Sequence, residues 1–313
     1  MENALVQEFD HVAISSNGGA GTAKLSGERP NVIRAYQIIV RGENKCFEQD
    51  VTLVANIIIF EEGSIIDTTG GDGSSPLPKP KTPEEPGDDN KVESANGNDG
   101  HPAGNITIIA QTIKGTVNLR GNGGKGGKAQ DGGDGADAQK VGFLTKSSKS
   151  YRNKDDSVVS PGGDGAPPGM PGKSANGASV TISVISNEGY RLKTEIRGGG
   201  GVEPALAGST GLGYVQRPAG DRADFPRGRI PIVTYTIDRK PGGMGKGGNP
   251  GNDGKADVRV IDTKTLAQHC TGNMLRKIQA EGEQDYINDN VSEALPRFNW
   301  VAEIASSVPK ETN

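Results

Sequence analysis

Aspartate between glycines is the commonest chemistry-bearing pattern in this chain. Gly70-Gly71-Asp72-Gly73, Gly132-Gly133-Asp134-Gly135 and Gly162-Gly163-Asp164-Gly165 all carry it. The stretch from Gly132 to Gln139, GGDGADAQ, comes close to a calcium-binding nonapeptide repeat, with Asp134 and Asp137 as the carboxylates that would meet the cation. The large apolar residue of that repeat is missing and no tandem copy follows, whereas such sites share ligands between neighbouring copies. The competing reading is an aspartate bonding local backbone in a turn. Calcium is the one cofactor that the sequence brings into question; otherwise it calls for none.

Catalytic groupings are scarce. His11, His101 and His269 lie in unrelated segments, and spacing assembles no Ser-His-Asp set. Arg120, Arg197 and Asp67 each end a strand-like block and could stack on one ridge, as the acid, base and cation of a polysaccharide-cleaving enzyme would; this is analogy at the level of fold. Gly243-x-Gly245-x-x-Gly248 matches a dinucleotide fingerprint, but no helix follows it. Gly172-Lys173-Ser174 ends like a phosphate loop, but Pro167 stands where its first glycine belongs. Cys46 and Cys270 read as buried thiols or as one disulfide. Asn105-Ile106-Thr107 is a glycosylation sequon, idle unless the chain is secreted.

Such residues need elements to position them, and the composition is unusual for an enzyme core. Of 313 residues 48 are glycine and 19 proline, while aromatics are only 4%. The net charge of −4 offers no basic patch for nucleic acid. The N-terminal stretch has neither a secretory signal nor a membrane span, so the expectation is a cytoplasmic or particle-associated (virion-like) protein, or one exported by a non-classical route. Isoleucine outnumbers leucine almost two to one, which favours strands. Strand-like blocks begin at Asn31, Asp50, Asn105, Ser179 and Ala256. Three can be superposed, opening on Val51-Thr52-Leu53, Ile106-Thr107-Ile108 and Val180-Thr181-Ile182. Each continues through a second short strand (Ile65-Ile66, Thr116 to Leu119, Lys193 to Ile196) into a glycine cluster.

Between the blocks, small residues recur every third position. Gly242, Gly245, Gly248, Gly251 and Gly254 keep the frame, as do Gly123, Gly126, Ala129, Gly132, Gly135 and Ala138, and Gly163, Ala166, Gly169, Gly172 and Ala175. Polyproline-II geometry has three residues per turn, so such a tract leaves one face bare for close packing. The runs are too short and interrupted for collagen; the rival reading is flexible linker.

The expected fold is therefore mainly β: an irregular β-solenoid over residues 1–264, with packed glycine-rich polyproline-II helices, an exposed Pro-rich loop at 74–92 and a polar loop at 145–157. The alternative is a β-sandwich with long glycine-rich loops. Residues 265–313 read as a short α-helical tail or cap, with Met274, Leu275 and Ile278 on one helical face. Phe298, Val301 and Ile304 or Ala305 mark a second helix, in which Pro296 fits the first turn.

The period-three tracts, such as GGMGKGGNPGNDG, resemble the polyglycine-II bundles of phage tail-fibre-tip adhesins and of a glycine-rich arthropod antifreeze protein. The strand blocks resemble glycine-rich β-helix proteins of bacterial surfaces. The likeness is one of style over residues 18 to 260 and carries over no contact residue. Charged insertions such as KTPEEPGDDNK argue against the antifreeze class. The resemblance implies a non-catalytic structural and recognition scaffold, fibre- or adhesin-like, whose partners are protein or glycan surfaces or further copies of itself. The alternatives are a polysaccharide-cleaving enzyme and a calcium-binding repeat protein.

Overall fold

The computed structural model describes residues 4–15, 22–76, 78–139, 151–152, 158–186, 189–218, 232–237 and 243–307. The N-terminal strand β1 (Leu5–Ile14) and the short β2 (Thr22–Ala23) are followed by β3 (Asn31–Val40), β4 (Glu43–Lys45), β5 (Val51–Phe60), β6 (Ile65–Asp67) and β7 (Ile106–Arg120). Then come β8 (Tyr151–Arg152), β9 (Val158–Ser160), β10 (Ser179–Ser186), β11 (Tyr190–Glu195), β12 (Gly213–Pro218), β13 (Ile232–Ile237) and β14 (Lys255–Val260). Three helices end the described chain: α1 (Thr263–Ala267), α2 (Gly272–Ile287) and α3 (Val291–Ser307).

A ten-stranded sheet runs in the order β14-β10-β7-β5-β3-β1-β2, with β11 and β6 branching from β7 and β4 pairing with β6. Its pairings are all parallel. The register superposed from sequence is the observed one: Ile106 lies opposite both Val51 and Val180, and Ile108 opposite both Leu53 and Ile182. The short-strand alignment is off by two residues, since Thr194 rather than Ile196 meets Leu119. β8, β9, β12 and β13 form a separate four-stranded antiparallel sheet.

Parallel sheets need cover on both faces, and this one has it. On one face Ile33, Leu53, Ile108 and Ile182 bury against Ile66 of β6 and Val117 and Leu119 from the second half of β7. On the other, Tyr36, Val54 and Ile109 lie under Leu266, Met274, Ile278, Trp300 and Ile304 of the helices. Each such side chain contributes about 1.5–3 kcal/mol when fully buried.

This arrangement corrects the β-solenoid expectation and its alternative, the β-sandwich. The ordered frame is a large parallel sheet with helices on one face, an α/β architecture. The blocks look like strand, bend and strand. Yet β7 runs unbroken from Ile106 to Arg120 through Gly115, whose φ of +90° only glycine adopts without strain. One strand thereby joins the long ladder to its branches. A second correction concerns Pro296, which lies inside α3 rather than at its start because the helix begins at Val291. Ala305 is exposed, and Ile304 takes the buried position.

The crossovers between parallel strands are extended glycine tracts. They bond to one another at every third residue. Gly97, Gly100 and Ala103 donate to the carbonyls of Met170, Lys173 and Asn176. Gly163, Ala166 and Gly169 donate to those of Ala136, Gly133 and Gln130. The small residues mark points of backbone contact: a Cβ on Gly163 would lie 1.7 Å from the Asp88 carbonyl oxygen, and one on Gly135 1.9 Å from that of Gly163. Gly242 lies outside the described residues. In the Pro-rich loop, Asn90 is buried and its amide donates to the carbonyls of Lys81 and Asp134, tying the loop to the tracts. Of the polar loop 145–157 only Tyr151 and Arg152 are described, as β8.

Candidate functional site

The carboxylates singled out as calcium candidates are backbone clamps. Asp134 Oδ1 accepts the Ser209 amide at 2.7 Å and the Lys79 ammonium at 2.7 Å; Asp137 Oδ1 accepts the Leu212 amide at 2.8 Å. They belong to a series. Asn96, Asp99, Asn122, Asp131 and Asn176 take the amides of Met170, Lys173, Arg197, Leu206 and Asn252, each 74–76 residues further along. No three His, Cys, Asp or Glu side chains among the described residues converge as a metal would need.

The strand-end ridge is half assembled. Asp67 and Arg120 are register partners, and the guanidinium lies 3.3 Å from Asp67, 3.3 Å from Glu43 and 3.4 Å from Glu195. Asp67 is buried, and its other oxygen accepts the Thr69 amide. Arg120, Lys193 and Glu195 line a shallow cleft of about 280 Å³. Arg197 stands outside this group, its amide held by Asn122.

The histidines stay apart. His101 pairs with Glu48 at 3.0 Å, and the hydrogen bond from His101 holds the Glu48 carboxyl below its ordinary range. The carbonyl of His269 accepts from Arg34, while burial and then the Arg34 charge push its ring pKa down. Cys46 and Cys270 are free thiols in different layers, each pushed by burial to a pKa of about 12.

The strongest polar cluster was not expected from the sequence. The strand ladders skip one residue at a shared level: Asp10, Tyr36, Asn56, Gln111 and Ile185. This common break lines these residues up across five strands. Over it lies Arg297 of α3, only 6% exposed. Its guanidinium bonds both Asp10 oxygens at 3.0–3.1 Å, Asp285 at 2.8 Å and the Glu293 carbonyl at 2.8 Å, and sits 5.7 Å from the Tyr36 ring centre. His11 bonds Asp10 at 2.5 Å, and Trp300 meets Tyr36 edge-on at 5.6 Å. Burial alone would raise the Asp10 pKa; the bonds from His11 and Arg297 outweigh it and hold the carboxyl below its usual value. Burial raises the Tyr36 pKa. The signal for Arg297 was its spacing, three residues before Trp300 and seven before Ile304, on the apolar face of its helix. β1 was missed as a strand altogether.

The two ends of the large sheet differ. At β1, α2 reaches across: Glu8 accepts from Thr271 at 2.5 Å and from Asn273, and Lys277 donates to the Glu8 carbonyl at 2.9 Å. At the other end β14 pairs with β10 alone among the described residues, and all six of its residues are exposed. The Ile261 amide bonds the Val184 carbonyl, so by parallel alternation the amides of Ala256, Val258 and Val260 point away from the sheet. No helix among the described residues is long and apolar enough to cross a membrane. Comparison with family models, with curated proteins and with solved structures found no match.

Proposed function

We propose that the protein is a non-catalytic structural and recognition scaffold that associates through the β14 edge of its large sheet and offers its loops to protein or glycan surfaces. The observation that carries this reading is the edge itself. Six exposed residues present a row of backbone donors and acceptors unpaired among the described residues, while at the opposite end α2 bonds β1 through Lys277. Val258 and Val260, 40% and 67% exposed, continue the buried column of Ile182 and Val184 beyond the end of the core. The carboxylates also fit a scaffold, since they clamp backbone or close ion pairs.

Sedimentation velocity and electron microscopy test it. Concentration-dependent assembly is the expected result, and Val258→Pro abolishes it by deleting an outward amide without touching the inner ladder. A wild-type chain that stays a monomer throughout overturns the edge reading. One observation favours a second reading, cleavage of a polysaccharide: Arg120 and Glu195 line a cleft, with the buried Asp67 paired to Arg120 behind them. Sugar cleavage that disappears in Asp67→Asn would establish it.

A further inference from the structure

The charges of β14 match their own reversal. Its six residues, Lys255-Ala256-Asp257-Val258-Arg259-Val260, place an acid and a base symmetrically about Val258, and all six are exposed. Ala256, Val258 and Val260 turn their amides and carbonyls away from β10, and none of these groups has a strand partner among the described residues. Asp257 and Arg259 put their side chains on one face of the strand and bond each other there. The other face carries Ala256, Val258 and Val260.

Two copies of this strand can be laid antiparallel about a twofold axis at Val258. Val258 then faces Val258 of the second copy, and Ala256 faces its Val260. These are hydrogen-bonded pairs, which use every outward amide and carbonyl of the three residues. Asp257 falls opposite Arg259 of the second copy, and Arg259 opposite its Asp257, in the closer non-hydrogen-bonded sites. Sliding one copy by two residues is the smallest step that keeps the outward groups facing. It sets Asp257 against Asp257, or Arg259 against Arg259, and like charges directly opposite are unfavourable.

Resting on the edge association put forward above, we propose that the partner of β14 is β14 of a second copy, antiparallel and in the register centred on Val258. Two ten-stranded sheets thereby become one. Backbone bonds supply the affinity, and the alternating side chains supply the register. The contact is isologous, so it closes at a dimer. The exposed Val258 and Val260 side chains, which continue the Ile182 and Val184 column, are covered by their counterparts.

Sedimentation equilibrium on charge variants tests this. Asp257→Arg and Arg259→Asp each weaken dimerisation about tenfold, because the twofold repeats every like-charge contact. Both changes in one chain restore it, and a mixture of the two single variants gives a heterodimer. The positions are exposed, so the melting temperature of each variant stays that of the wild type. Oxidation cross-links Val258→Cys, whose Cα atoms stand about 5.5 Å apart across the axis. It cross-links neither Ala256→Cys nor the wild type with its own Cys46 and Cys270. Three results overturn the register while leaving the edge association standing: a dimer that Val258→Pro abolishes but charge reversal spares, one that the double change fails to restore, or one that cross-links through Ala256→Cys. Assembly beyond the dimer overturns the twofold closure. A chain that stays monomeric overturns the edge association and the register together.

Discussion

At the scale of single residues, an Asp or Asn in a Gly-rich triplet here substitutes for a backbone carbonyl of the neighbouring tract. Asp137 shows what such a group contributes. Asp137→Asn keeps the oxygen that accepts the Leu212 amide and leaves the melting temperature unaltered, with or without a calcium chelator. Asp137→Ala strands that amide and costs about 1–3 kcal/mol. Asp10 sits at higher stakes, because Arg297 is buried against it. Asp10→Asn costs about 3 kcal/mol, the lower end for breaking a buried pair, since Asp285 still holds the guanidinium. The pH dependence follows from the lowered pKa of Asp10. Its stabilisation is complete above the ordinary carboxylate value and is lost as pH falls through the lower folded value. Glu8 shifts in the same direction, because its bonds from Thr271 and Asn273 outweigh burial. Trp300 is the chain's single tryptophan and packs in the helical layer. Its fluorescence therefore reports detachment of the helices in acid, and Asp10→Asn flattens that response.

At the scale of elements, the tracts are the sharpest test of close packing. Gly163→Val places a side chain where the Asp88 carbonyl already lies, and costs about 1–3 kcal/mol or more, read as a fall in melting temperature. Gly248→Val is milder. A Cβ there comes no closer than 3.0 Å to the Val202 side chain and 3.1 Å to the Gly172 carbonyl oxygen. This contrast also shows what could be read in advance. The strands beginning at Asn31, Val51, Ile106 and Ser179 were legible because β-branched residues alternate and the opening triplets match. The period of the glycines was legible as well. What covers the sheet was not. The helices were visible at residues 274–304 as apolar stripes, but a stripe does not name its partner, and the architecture was misread for that reason. The Asp10–Arg297 pair spans nearly the whole chain, and β1, with Asp10 and His11 among apolar neighbours, gave only a weak alternation.

At the scale of the whole molecule, α2 reaches over β1 at one end of the sheet, and at the other the β14 edge is unpaired among the described residues. With one such edge, β14 pairs with the β14 of a second copy, an isologous contact that closes at a dimer. Backbone pairing and the Ala256, Val258 and Val260 stripe carry little net charge. Assembly through β14 is therefore expected to rise with protein concentration and to change little between low and high salt, as sedimentation at both conditions would show.

The clamps that span 74–76 residues impose a rule on how this chain can change its length. The spans differ by single residues, which the segments between the tracts absorb, but within a tract successive clamps keep step with a repeat of three. Losing a single residue inside a tract would turn every later small residue away from its contact and bring a bulky one toward a neighbouring carbonyl. Removing a whole triplet would merely shorten the tract by one turn. Variation in this protein should therefore run freely through its surface loops and be confined to whole triplets in its interior, as a screw fits its thread only at complete turns.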